Sequence, residues 1–323
     1  MSLEEKAAQL LMVSCHTYGS AELASRYGAG ALCLYGFDFE GKSEEEVIAM
    51  NDRFQSLSRY PLIISTDEEG GSVHRISNNP KLYPETFRSP GELRSANGFT
   101  SAVIDARSKC VLMEKLGLNV NLAPVCDVPL RSTDYISDRS FSMDYAEAAD
   151  YISVVVTAMQ DYGVGSVLKH FPGYGGSTDT HEGISYDKRP YSDFENGDLL
   201  PFKAGIAAGA DAVMVSHNIV ECMDDFYPAS LSPEVHRVLR QELGFNGVVV
   251  TDDLAMGAIL KFAQGQNMVV QALLAGNDMV CCSNFEESVM AIVMAVHSGI
   301  LTQQRIDESA LRVLNWKAEL GLI

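Results

Sequence analysis

Short runs of four to six apolar residues recur along the chain, separated by longer segments whose apolar positions repeat with helical period. The runs at 10–13, 30–35, 62–66, 120–124, 166–168, 212–216, 247–251 and 278–281 predict strands. Segments 43–56, 102–116, 145–162, 198–208, 233–243, 255–275 and 286–297 predict helices. Strand followed by helix, repeated about eight times, predicts an α/β protein with a parallel sheet, and eight units imply closure into a (β/α)₈ TIM-type barrel. The first run is ambiguous, because 7–13 also reads as a continuous helix. An open doubly wound sheet is the alternative, but no early strand leads into a G-x-G-x-x-G turn. No Ser/Pro/Gly tract or charge block divides the chain, so residues 1–323 are expected to form one domain, with a closing amphipathic helix over 305–320 packed on the barrel.

Composition narrows the partners. Apolar residues make up 46% and charged residues 21% of 323, which suits a globular domain. The balance of 24 basic against 43 acidic residues gives −19, which argues against nucleic acid and anionic membrane surfaces. No apolar run is long enough to span a bilayer and no leader pattern opens the chain; Ser2 and Glu5 read as a helix cap instead. Seven Cys, an odd number set mostly in apolar stretches, point to reduced thiols and a cytoplasmic setting, with secretion left open if a leader has been removed. Without a C-x-x-C pair, a structural zinc site is not expected.

The polar groups concentrate where predicted strands end. Asp67, Glu68 and Glu69 follow 62–66, Asp127 follows 120–124, Lys169 and His170 follow 166–168, His217 and Asn218 follow 212–216, and Asp252 and Asp253 follow 247–251. In a barrel these ends form one rim, the usual place for an active site. A single acid at a strand end is commonly a helix cap, and Asp253 fits that reading; five such ends together do not. Between Lys169 and His181 the chain carries Lys, two His, Asp, Pro and three Gly. His170, His181, His217 and Asp252 could be metal ligands, but no H-x-H or H-x-x-E-H spacing is present and Lys169 would repel a cation. Glycoside hydrolysis fits better: one ionised carboxylate attacks, a second group supplies a proton, and Asp179 with His181 offers an oriented imidazole.

Seven blocks resemble the N-terminal catalytic barrel of glycoside hydrolase family 3, and within it the β-N-acetylhexosaminidase branch. They are Thr66-Asp67-Glu68-Glu69-Gly70-Gly71, Asn121-Leu122-Ala123-Pro124-Val125-Cys126-Asp127-Val128, Ser137-Asp138-Arg139-Ser140-Phe141, Lys169-His170-Phe171-Pro172-Gly173-Tyr174-Gly175, Asp179-Thr180-His181, Pro228-Ala229-Ser230-Leu231-Ser232, and Val250-Thr251-Asp252-Asp253-Leu254-Ala255-Met256. The resemblance implies that Asp252 is the nucleophile, His181 the acid/base and Asp179 its orienting partner. It implies that Asp67, Arg139, Lys169 and His170 bind the hydroxyls of a terminal sugar. The family's Gly-Gly block is usually followed by Arg where this chain has Ser72, so Arg75 is expected to supply that contact. His217, at its own strand end, is counted with the substrate-binding groups. Two departures stand out: Tyr174 replaces a common His, and the segment before Asp-x-His is one residue short. Gly173 to Gly176 read as a hinge for the segment that carries the dyad.

The activity so implied is that of an exo-acting retaining β-N-acetylhexosaminidase, taking terminal β-linked N-acetylglucosamine from a small carbohydrate or muropeptide, without cofactor or metal. Attack by the substrate's own acetamido carbonyl is the other route to the same product. A phosphorylase using the same intermediate and a family 3 β-glucosidase are the nearby alternatives. The Asp-His pair favours the hexosaminidase over the glucosidase, whose acid/base comes from elsewhere; no second domain is expected to follow the barrel. From a different class, a barrel that binds sugar without turnover would carry the same rim.

Overall fold

The computed structural model describes residues 1–17, 19–176, 180, 183–264 and 266–323. Eight parallel strands run in chain order: β1 (Leu11–Ser14), β2 (Ala31–Leu34), β3 (Ile63–Thr66), β4 (Val120–Asn121), β5 (Gly165–Phe171), β6 (Ala212–Val215), β7 (Val248–Thr251) and β8 (Val280–Cys282). Each pairs with the next, and β8 pairs with β1, Leu11 opposite Val280. Between β7 and β8 the ladder thins to one bridge, Val250 with Met279, backed by the Thr251 N–H to the Met279 carbonyl (3.2 Å) and the Cys281 N–H to Thr251 Oγ1 (3.0 Å). The sheet is a closed TIM-type barrel.

The chain's opening is a helix, Leu3–Gln9, capped reciprocally by Ser2 and Glu5, and it stops in time for β1 to begin. The predicted helix at 102–116 is the second half of Pro90–Lys115, which is bent at Asn97 and Gly98, where the backbone leaves the helical region. The predicted 255–275 helix is two helices, Gly257–Ala263 and Val269–Ala275, parted after Ala263, where Gln264 turns left-handed. The 233–243 segment starts as Pro233–Arg237 and widens to π-type turns through Val238–Glu242.

Inward-facing side chains, among them Met12, Ile63, Val120, Val167, Met214 and Val250, fill the barrel, so it is a packed core and not a pore. The helix Gln303–Glu319 lays Val313 and Trp316 across the N-terminal end of that core. The contact requires Gly165: a Cβ there would sit 3.0 Å from Val120 Cγ2 and 3.2 Å from the Trp316 indole nitrogen. With one end closed by Trp316, the polar groups gather at the other. None of the seven cysteines is in a disulfide; six are buried and Cys222 is exposed. Among the described residues no helix is long and apolar enough to cross a membrane.

Candidate active site

Strand β5 is longer than its apolar run, because Lys169 and His170 stay in the strand and are buried. Burying them is tolerable because both are partnered. Lys169 Nζ lies 2.6 Å from Asp67 Oδ1 and 2.6 Å from Glu69 Oε1. Burial alone would lower the Lys169 pKa, but Asp67 and Glu69 outweigh it and hold the amine protonated, above its ordinary range. Glu69 is fully buried among cations: Arg139 meets it with Nε at 2.9 Å and Nη2 at 2.8 Å. Burial would raise the Glu69 pKa, yet Arg139 and Lys169 push it far below the usual carboxylate range. His170 is fixed from behind, its Nδ1 on Asp127 Oδ2 at 2.7 Å, while Nε2 lies 3.4 Å from Arg139 Nη2. Arg75 completes this wall, its Nη2 3.9 Å from Asp67 Oδ2 and its guanidinium 5.9 Å from the Tyr35 ring.

Asp252 ends β7 at the floor of the same cavity, which holds 380 Å³ and is lined also by His16, Tyr35, Tyr135 and Tyr174. Its carboxylate accepts the Asp253 N–H at 2.8 Å. Burial would raise its pKa, but His170, the Asp253 N–H and Lys169 overcome that and leave it below the ordinary value, hence ionised. Asp253 is not a helix cap. Its Oδ2 binds Ser14 Oγ (2.6 Å) and His16 Nε2 (2.8 Å) across the barrel, and its Oδ1 takes the Ala255 N–H at 2.9 Å. Tyr35 joins through its hydroxyl to Ser14 Oγ at 2.7 Å.

Six of the residues singled out in the sequence, Asp67, Arg75, Arg139, Lys169, His170 and Asp252, therefore line one cavity. His217 does not. It is fully buried behind Asp252, with Nδ1 on Ser230 Oγ (2.8 Å) and Nε2 on the Asp253 carbonyl (3.0 Å). Burial lowers its pKa, so it is a neutral support whose ring nitrogens are both taken by the protein, unavailable to sugar or metal. Asp179 and His181 lie outside the described residues. Thr180 between them is described: it is buried, hydrogen-bonded to the Tyr174 hydroxyl, and its carbonyl accepts the Ala258 N–H at 3.1 Å. Gly173 and Gly175 are needed for close approach: both have positive φ, and a Cβ would lie 2.7 Å from Asp198 Oδ1 and 2.3 Å from Arg189 Nη2.

Sequence reasoning missed Glu69, Tyr35 and the Ser14–His16–Asp253 group. The acidic triplet 67–69 was visible, but its division of labour was not: Glu68 turns away and accepts the Arg75 and Ile76 N–H groups at 2.9 and 2.6 Å. Chemically, the cavity offers one ionised carboxylate at its floor and a wall of alternating donors and acceptors suited to sugar hydroxyls.

A sequence model described as the glycosyl hydrolase family 3 N-terminal domain matches residues 2–316. The chain is 33% identical over 335 residues to the beta-hexosaminidase LpqI of Mycobacterium tuberculosis, covering 98% of this chain and 83% of that protein. It is 32% identical over 264 residues to a beta-hexosaminidase of Nitrosomonas eutropha, covering 80% and 75%. Among solved structures, a family 3 β-N-acetylglucosaminidase from Paenibacillus sp. superposes with a TM-score of 0.92 at 30% identity, over 100% of this chain and 63% of that one. A β-N-acetylhexosaminidase from Beutenbergia cavernae superposes at 0.88 and 27% identity, over 98% and 99%. Barrel, rim and sequence agree: the chain belongs to glycoside hydrolase family 3.

Proposed function

We propose that the protein is an exo-acting, retaining β-N-acetylhexosaminidase that removes terminal β-linked N-acetylglucosamine. The observation that carries this reading is the ionised Asp252 at the floor of a closed-end cavity whose facing wall is the Asp67–Lys169–Glu69–Arg139 network. A cavity closed at one end suits a chain terminus, and the wall suits the hydroxyls of one sugar ring. The names of the relatives support the acetamido sugar as the preferred ring.

In the first step an Asp252 carboxylate oxygen attacks the anomeric carbon. The glycosidic C–O bond breaks, and the leaving oxygen takes a proton from the His181 imidazolium, which Asp179 holds in orientation. In the second step water attacks the same carbon, gives a proton to His181, and the bond to Asp252 breaks with net retention. Peptidoglycan fragments are the natural substrate class we favour, because Arg75, in the cavity wall 3.9 Å from Asp67, puts a cation within reach of an anionic aglycone.

The test is a panel of nitrophenyl glycosides of N-acetylglucosamine, N-acetylgalactosamine, glucose and xylose, assayed with and without phosphate. The N-acetylglucosaminide is expected to turn over fastest, with no sugar 1-phosphate formed. A slow fluorinated analogue is expected to leave a covalent sugar on the peptide containing Asp252. Turnover without that adduct would move the attack to the acetamido carbonyl, and binding without turnover would leave a sugar-binding barrel.

A further inference from the structure

The Asp252 carboxylate takes a hydrogen bond from the backbone of its neighbour, the Asp253 N–H at 2.8 Å, so its orientation depends on how firmly Asp253 is held. The Asp253 carbonyl accepts from His217 Nε2 at 3.0 Å, and Oδ1 takes the Ala255 N–H at 2.9 Å. The other carboxylate oxygen, Oδ2, receives Ser14 Oγ at 2.6 Å and His16 Nε2 at 2.8 Å. The protons are consistent. Ser14 gives its one hydroxyl proton to Asp253, so Tyr35, with its hydroxyl 2.7 Å from Ser14 Oγ, donates to Ser14, and His16 presents an N–H to the carboxylate. Ser14 is buried at the last position of β1, while the His16 side chain is 45% exposed and lines the cavity.

These contacts skip a strand. β7 meets β8 through one bridge, whereas β1 is laddered to β8 and to β2 by three residue pairs each. Asp253 therefore takes its fixed point from β1 and not from the strand beside it. We infer that Ser14 and His16 are positioning residues for the nucleophile, acting through Asp253. The inference rests on the proposed role of Asp252. Removing either donor from Asp253 Oδ2 loosens that side chain, and with it the N–H that orients the Asp252 carboxylate. Attack on the anomeric carbon needs the oxygen about 3–3.5 Å away and aligned with the breaking bond, so a small rotation of the carboxylate lowers the rate of bond formation more than the binding of the sugar.

The experiment follows the covalent step alone, using 5-fluoro-N-acetylglucosaminyl β-fluoride. The bond from an Asp252 oxygen to the anomeric carbon forms as fluoride leaves with its electron pair, and no proton is needed. Saturation of the inactivation rate separates the binding constant Ki from the first-order rate ki. Ser14→Ala and His16→Leu are each expected to lower ki about ten-fold, the scale of one hydrogen bond to a charged group, with Ki within about two-fold. His16→Gln, whose amide nitrogen reaches about as far as Nε2, is expected to bring ki back to within about three-fold of the wild type. Added to Asp253→Ala, Ser14→Ala is expected to cost nothing further. An unchanged ki in either single variant, a loss confined to Ki, a Gln variant as slow as the Leu variant, or a further loss in the Asp253→Ala background would overturn the positioning role. If the wild-type protein forms no adduct on Asp252, the nucleophile reading falls and takes the inference with it; an adduct that forms equally fast in the variants strikes the inference alone. His16→Leu and its Gln rescue, at a half-exposed position, carry the test should the buried variants not fold.

Discussion

Glu69 and Glu68 are neighbours of the same chemical class, and their environments give them unrelated work. Glu68 spends its carboxylate on the backbone of 75–77, so it builds a turn; Glu69 stands between Arg139 and Lys169 and sets the spacing of two cations that face the substrate. Glu69→Gln removes the charge but keeps the shape. It is expected to lower kcat/KM by about 100-fold, since two buried cations are then left with Asp67 as their carboxylate at the cavity wall. Steady-state kinetics on the N-acetylglucosaminide check this, and a loss under about three-fold would remove Glu69 from the working network. The same contrast explains what could be read at this scale. Residue types at strand ends located Asp67, Lys169, His170 and Asp252, because buried strands that finish in charge are unusual. Types alone could not distinguish His170 from His217. Both end strands, and only the three-dimensional position of each ring tells that one lines the cavity and the other supports the Asp253 carbonyl.

At the scale of elements, the eight strands were legible because buried parallel strands are short, nearly continuous apolar runs bounded by turn residues. The boundaries failed where chemistry replaced apolarity. The apolar run of strand β5 ends at Leu168 because Lys and His do not look like strand interior, yet Asp67, Glu69 and Asp127 satisfy both in place. The Pro90–Lys115 helix was half seen, since its first turns are polar and it bends at Gly98. The Gly173–Gly175 turn looked like a hinge from composition; its structure shows backbone pressed against the Arg189–Asp198 ion pair (2.7 Å). Gly173→Ala is therefore expected to destabilise the fold by about 2 kcal/mol or more, from both the positive φ and the clash with Asp198, and to depress activity with it. Chemical denaturation measures the first. An unchanged midpoint would mean the Asp198 side chain yields freely, and the hinge reading would return.

At the scale of the whole molecule, Lys317 stands apart from the candidate site. Lys317 is fully buried under the barrel, with the Gln9 amide oxygen at 2.6 Å as its partner, and burial pushes its pKa down to about 7. The unfolded chain keeps that proton up to about pH 10.4. Between pH 7 and 10 the unfolded state then binds more protons than the native one, so this lysine makes stability rise with pH; below 7 its full cost is felt. Lys317→Met is expected to stabilise the protein at pH 7 by about 2 kcal/mol and to flatten that rise. Melting curves at pH 7 and pH 9 test it, and a parallel shift at both pH values would assign the change to packing alone. The circle of strands has its own asymmetry. Seven junctions are ladders, and the eighth, between β7 and β8, is a single bridge supported by irregular backbone hydrogen bonds and the Thr251 hydroxyl. Asp252 sits on that junction, and Asp253 reaches over β8 to Ser14 and His16 at the end of β1. Asp252, the proposed nucleophile, is thus mounted at the thinnest joint of the ring. Opening of the β7–β8 seam is expected to displace Asp252 while the Lys169–Glu69–Asp67 wall, carried by laddered strands, keeps its place, so loss of catalysis is the molecule's first report that the ring has loosened.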